Sequence, residues 1–468
     1  MSRKPFYFLA IVIGICSCHS SEKMELTLNG TWNSLGYGRQ INISDDTATF
    51  FDIYSGGCSY NKQWSKAIFK DYYEVRKHTS DSLTLRSGFT DYTFVRPSLE
   101  PQTCRNKGKE TDPLTNFDAL WNTFNENYVS FGLREVNWLQ SKTKYRSRLS
   151  TQSTDLELYA VLEEMTFELQ DGHVWVDTPD ALKNKVEEEE GDTDELRTLV
   201  MNFINSKYVA HLKTYNHGVI NWGVINQDIG YIQINDFEDL ASYDIDPSLS
   251  GEAFWEGYRE KAKASDDYRH DALSGMKAIM SEIFEDIGDT QSCIIDVRFN
   301  GGGYDQAGLE VLSYFTPLRV KVFSKKARFE DGFTSLQDIY LEPNGKNYDG
   351  NLYLLTSFQT ASASEAFIIA SQSLPNVTTI GSNTEGILSD ILSKKLPNGW
   401  KYGLSNEIYE SINGINYERV GIPPDYELNY NRDPLKFYTD LLEELKTNDR
   451  AIEKVVAMEA TRIGVSGS

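Results

Sequence analysis

Two stretches of this chain share one pattern, and that pattern restricts the fold more than any other feature. "CIIDVRFNGGGYDQAGLEVL" (residues 293–312) and "NLYLLTSFQTASASEAFIIASQ" (residues 351–372) each open with a short apolar run. Each then passes through a turn of small polar residues and continues with helical spacing. A strand that is apolar at nearly every position is buried on both faces, which happens when helices cover both sides of a parallel sheet. Ahead of them, "GVINQDIGYIQINDF" reads as a hairpin. From about residue 218 the texture is strands alternating with helices, so the expected architecture is an α/β core with a largely parallel sheet.

The upstream sequence has a different texture. "INISDDTATFFDIYS", "DSLTLRS" and "DYTFVRP" alternate apolar and polar residues between turns, which predicts an N-terminal all-β module over 18–97. Its Gly30-Thr31-Trp32 resembles the opening of lipocalin-type barrels. The charged, proline-bearing stretch 98–113 reads as a linker. A helical segment is expected over 114–180, where Phe117, Leu120, Trp121, Phe124 and Tyr128 form one apolar face. Thr154 and Glu157 announce a second helix through a capping box. The acidic run from Glu187 to Glu195 reads as a solvated insertion inside a core spanning 181–440, and 441–468 as a C-terminal helix and tail.

Composition narrows the partners. The formal charge is −23, which disfavours nucleic acid because phosphates would be repelled. Arg3 and Lys4 precede the apolar run Phe6 to Ile15, which is too short to span a bilayer. The run ends in Ile15-Cys16-Ser17-Cys18, the form of a bacterial lipoprotein processing site with residues 1–17 removed and Cys18 lipidated; plain secretory cleavage is the alternative. Membrane attachment is then expected through lipid alone, in the cell envelope of a Gram-negative-type bacterium. In such an oxidising compartment Cys58 and Cys104 are candidates for a disulfide, whereas Cys293 lies in a buried strand. No cysteine pair has zinc spacing and no HExxH occurs, so no metal is expected.

Several residues could carry chemistry. Ser362 sits at a strand-to-helix turn, where unpaired N–H groups and the helix dipole favour an oxyanion. The same Ser362-x-x-Glu365 spells a capping box, so cap and nucleophile both stand on this stretch alone. Asn300-Gly301-Gly302-Gly303 allows close backbone approach to a ligand, or makes an ordinary tight turn. Gln306 occupies the place of the last glycine of a dinucleotide fingerprint and no GxxxxGK[ST] occurs, so no cofactor is expected. Of six histidines, His173 alone lies where a capped helix gives way to a strand, after an Asp171-Gly172 turn. Glu418 is expected on a strand end, ahead of Gly421 and Pro423-Pro424.

Taken in order, "LQDGHVWV", "GYIQINDF", "IIDVRFNGGG", "TASASEAFIIA" and "YERVGIPPD" resemble blocks of the C-terminal-processing (tail-specific) serine peptidases. The closer likeness is to the branch with the tricorn core and the interphotoreceptor retinoid-binding modules. The resemblance implies a crotonase-like (ClpP/crotonase-type) α/β peptidase core acting on polypeptides. It places the nucleophile on Ser362 and the oxyanion hole on the backbone N–H of Ala363 with a glycine of Gly301-Gly302, in the first place Gly302. The processing peptidases proper pair their serine with a lysine, and that position here is Ile387. The tricorn branch uses a histidine oriented by a glutamate, and those positions are His173 and Glu418. The tricorn branch has a serine before the histidine, which is Gly172 here. A non-catalytic lipoprotein that kept the fold to bind ligands or peptides is the competing expectation.

Overall fold

The computed structural model describes residues 27–97, 104, 110–177, 182 and 193–466. The expected leader with Cys18, most of the linker and residues 187–192 of the acidic run lie outside them.

Alternating apolar residues make seven strands in the N-terminal module: β1 (Gly30–Ser34), β2 (Arg39–Ile43), β3 (Thr47–Tyr54), β4 (Gly57–Ser65), β5 (Glu74–His78), β6 (Ser82–Ser87) and β7 (Thr90–Val95). They pair antiparallel in the order β4-β3-β2-β1-β7-β6-β5. The sheet is open, with β4 and β5 as edges, so the barrel closure of a lipocalin is absent among the described residues. Helix α1 (Lys66–Tyr72) starts where Ser65 Oγ accepts the Ile68 N–H, and it drops Phe69 into a core with Trp32, Ile41, Leu83 and Leu85. Cys58 and Cys104 are joined by a disulfide that ties the chain beyond the module back to β4.

Next come α2 (Pro113–Asn127), α3 (Trp138–Arg146) and α4 (Asp155–Phe167). The apolar face read from the sequence packs inward: Phe117, Leu120, Phe124 and Tyr128 share a core with Leu158, Leu162 and Met165. At the start of α4, Glu157 N–H donates to Thr154 Oγ1 at 3.2 Å and Thr154 N–H to Glu157 Oε2 at 2.7 Å, which closes the capping box. A short strand, β8 (Trp175–Val176), follows the His173 turn. The described end of the acidic run is solvated, with Asp194 and Glu195 exposed, and it is helical. Thr193, Asp194 and Glu195 form the first turn of α5 (Thr193–Tyr208), where carboxylates meet the positive end of the helix.

The core sheet begins with β9 (Ala210–Tyr215), β10 (Ile220–Ile225) and β11 (Ile229–Ile234), paired antiparallel. Helices α6 (Glu252–Ala264) and α7 (Tyr268–Ile287) then cross to β12 (Ser292–Asp296), which runs parallel to β11. After α8 (Asp305–Leu312) a side sheet is built from β13 (Val320–Phe329), β14 (Gly332–Phe333) and β15 (Gln337–Leu341). The chain returns through β16 (Asn351–Thr356), α9 (Ala363–Ser371) and β17 (Val377–Gly381), extending the parallel part. β18 (Lys394–Lys395) and β19 (Lys401–Gly403) join β8, and β20 (Glu407–Ser411) joins β13. β21 (Tyr426–Glu427) adds the last parallel edge before α10 (Pro434–Leu445) and α11 (Arg450–Ser466).

Both faces of this sheet are covered, as the apolar strands require. Residues of α7, α8 and α9, among them Met276, Val311 and Phe367, cover one face; Ile204 of α5, Leu441 of α10 and Ile452 of α11 cover the other. At the exit of β12 the fully buried Arg298 pairs with Asp296 at 2.7 Å and Asp449 at 2.9 Å. Asp449 also accepts the Ala451 and Ile452 N–H groups at the start of α11. The strand exit that leads into the glycine run is thereby fixed to the last helix. The expected α/β core, helical segment and all-β module are all present.

Candidate active site

Ser362 closes the turn between β16 and α9 with φ 54° and ψ −121°, a left-handed conformation seldom taken by a residue with a side chain. Such a backbone persists only when its surroundings over-determine it. Ser357 Oγ donates to the Arg298 carbonyl at 2.5 Å, Thr360 Oγ1 to that of Val297 at 2.8 Å, and the Ala361 N–H to that of Asn300 at 3.2 Å. Those three bonds stitch the serine turn to the β12 exit. Glu365, fully buried, reaches further than a helix cap. Its carboxylate accepts Thr384 Oγ1 at 2.5 Å and the N–H groups of Gly386 at 2.8 Å, Ile387 at 2.7 Å and Ser362 at 3.3 Å.

The glycine run lies against this turn. A Cβ on Gly302 would stand 2.7 Å from Ser362 Cβ and 3.1 Å from the Ala363 nitrogen, so only glycine leaves that space open. The Ala363 N–H has no partner among the described residues, as expected of a first helical position. The Gly302 N–H, by contrast, donates to Asn300 Oδ1 at 2.8 Å. Among the described residues the Gly301 N–H, next in the glycine run, has no partner either.

His173 is buried, with 4% exposure, in a turn held by its own N–H donating to Asp171 Oδ1 at 3.0 Å. Burial pulls the imidazole below its usual range, against the Asp171 carboxylate, the Ser389 backbone and Asp390. Its Nδ1 is buried without a hydrogen-bond partner among the described residues. Glu418 lies in a turn, not on a strand end, because Gly414 and Gly421 take left-handed φ and Pro423-Pro424 supply no N–H for a ladder. Glu418 Oε1 accepts Arg134 Nη2 at 2.9 Å and Oε2 accepts the Leu388 N–H at 3.0 Å. Burial, with the Asp171 carboxylate next, pushes Glu418 up to about 7 against the pull of Arg134 and Leu388. No hydrogen bond joins the imidazole to Ser362 or to Glu418 in this conformation.

Residues 384–388 are where these pieces meet. Glu365 holds them from the serine side and Glu418 holds Leu388. Gly172, next to His173, faces Ile387 so closely that an added Cβ would lie 3.2 Å from Ile387 Cδ1. Residues 228–428 match peptidase family S41, and residues 109–167 match the tricorn protease C1 domain. Residues 228–428 form a peptidase family S41 domain. That match supports a serine-type peptidase of the C-terminal-processing kind. The S41 match contains Ser362, the glycine run and Glu418, while the C1 match covers α2 to α4 and stops short of His173.

Solved structures extend the comparison. A Parabacteroides merdae protein described as a peptidase is 22% identical, over 72% of this chain and 97% of that one, with a TM-score of 0.51. A Streptococcus agalactiae lipoprotein is 14% identical over 73% and 98%, with a TM-score of 0.45. The photosystem II D1 C-terminal processing protease is 14% identical over 71% and 98%, with a TM-score of 0.40. The first of these speaks for a shared fold.

One residue of this site escapes a reading of the sequence, and two show only part of their role there. Arg134, between Glu418 and Asp171, comes from an unremarkable loop far away in the chain. Asn300 was visible only as the residue ahead of three glycines, yet its side chain orders the run. Glu365 carried a signal, the capping-box spacing, but that signal describes only its bond to Ser362.

Proposed function

We propose that this S41 peptidase hydrolyses peptide bonds of protein or peptide substrates, near their C-termini, with Ser362 as nucleophile and His173 as base. The observation that supports this most is the Ser362 turn itself, a left-handed serine beside the unpartnered Ala363 N–H, with Gly302 keeping the space before it clear. Substrate draws the imidazole onto Ser362 Oγ, since catalytic hydrogen bonds tighten in the complex. His173 takes the serine proton as Oγ attacks the carbonyl, then returns it to the leaving amine. The tetrahedral oxygen sits on the Ala363 N–H and a second donor from Gly301 or Gly302, each donor contributing about 3 kcal/mol. Glu418, fixed by Arg134, orients the histidine side through Leu388 and supports the imidazolium. Lipidation at Cys18 would hold the enzyme at an envelope membrane, and no helix among the described residues is long and apolar enough to cross one.

The test is to incubate the chain from residue 19 with unfolded proteins and peptides and to read new termini by mass spectrometry. Cleavage should vanish in Ser362→Ala and fall at least about a hundredfold in His173→Ala. Cleavage that persists in Ser362→Ala would remove the serine from this role. Peptide binding without any cleavage would leave a capture protein in its place.

A further inference from the structure

Where the β module meets the β18–β19 hairpin, a cavity of about 370 Å³ is lined by Arg39, Lys62, Lys394, Lys395 and Lys401, with Asp52 the only carboxylate among its described lining residues. That sign is opposite to the chain as a whole, whose formal charge is −23. Asp52 is already engaged: it pairs with Lys394 Nζ at 3.2 Å and accepts Asn61 Nδ2 at 2.6 Å and the Lys395 N–H at 3.0 Å. Lys395 Nζ rests on the Asn61 carbonyl, and Arg39 Nη2 on that of Ser393. Among the described residues no carboxylate stands at ion-pair distance from Arg39, Lys62, Lys395 or Lys401. Lys62 Nζ lies over the Trp64 ring at 3.7 Å, and burial with the nearby Arg39 charge drags it down to about 7.

Like charges crowded in a concave site repel one another and concentrate counter-ions there. A partly desolvated cation without a carboxylate is unfavourable until an anion joins it. We propose that this cavity binds a small multivalent oxyanion, a phosphate or a polycarboxylate, through Lys62, Arg39 and Lys401. The site is separate from Ser362 but not isolated from the catalytic side. Trp175, which also lines the cavity, lies on the strand leaving the His173 turn and pairs with Gly403 of β19. A bound anion would therefore brace that strand against the module.

Calorimetric titration of the chain from residue 19 with inorganic phosphate and, separately, citrate tests this, with ionic strength held constant by potassium chloride. Saturable binding of at least one is expected, and the stronger arm identifies the chemistry. Lys62→Met should weaken it at least tenfold, and Lys401→Gln, at an exposed position, should weaken it severalfold with the fold intact. Heats that never saturate, or an affinity unchanged in both variants, would overturn the proposal. If Lys62→Met fails to fold, Lys401→Gln alone decides.

Discussion

At the scale of single residues, the site depends on two that are held in unfavourable states. A left-handed non-glycine residue costs about 1–3 kcal/mol, and Ser362 is kept there by the bonds of Ser357, Thr360 and Ala361. His173 is held below its usual range by burial. A histidine with a lowered folded pKa binds fewer protons folded than unfolded. Its contribution to stability is complete above the unfolded value of about 6.5 and is lost as pH falls towards the folded value. With His173 as the proposed base, the rate should follow the same direction, because only a neutral imidazole can accept a proton. We expect kcat/KM to rise with pH along a limb whose midpoint lies below about 6.5. Glu418, pushed up to about 7, titrates above it, so the profile of Glu418→Gln isolates the histidine limb. A midpoint at or above the ordinary histidine value in that variant would show that another group governs the rate.

At the scale of elements, α9 and residues 384–388 act as one unit through Glu365. In Glu365→Gln the amide NH₂ would face the Gly386 or Ile387 N–H where an acceptor stood, leaving a buried donor unsatisfied at about 1–3 kcal/mol. We expect a lower Tm together with a fall in kcat, because the Ser362 N–H shares the same carboxylate. A Tm that drops with kcat unchanged would make Glu365 structural only. The same element shows what a sequence can convey. Spacing revealed the strand, the turn, the helix and the Ser362–Glu365 pair, because each depends on neighbours a few residues apart. The reach of Glu365 to 384–387, and of Arg134 to Glu418, depends on how distant segments dock, which no local pattern encodes. The placement of Glu418 in a turn was missed for a related reason. A strand end was expected there, but left-handed glycines at Gly414 and Gly421 and the paired prolines make a turn instead.

At the scale of the whole molecule, the β module is locked onto the peptidase core by buried polar groups. Lys394 Nζ donates to the Tyr37 carbonyl at 2.6 Å and pairs with Asp52, and Tyr37 OH donates to Glu407 Oε1 at 2.6 Å. Glu407 in turn pairs with the buried Lys325 at 2.9 Å. Removing one partner of a buried pair leaves a desolvated charge and costs about 3–5 kcal/mol. Module and core should therefore unfold in a single calorimetric transition, and a chain beginning at residue 110 should melt well below the intact one. Two resolved transitions would show that the clasp is loose. The clasp also bears on how such chains could be recombined. A β module taken from another peptidase would arrive with its own residue in place of Asp52 and its own backbone in place of Tyr37, while Lys394 stayed behind in the core. Domain exchange here should succeed only when both halves of the lock, the module and the hairpin that grips it, are transferred together.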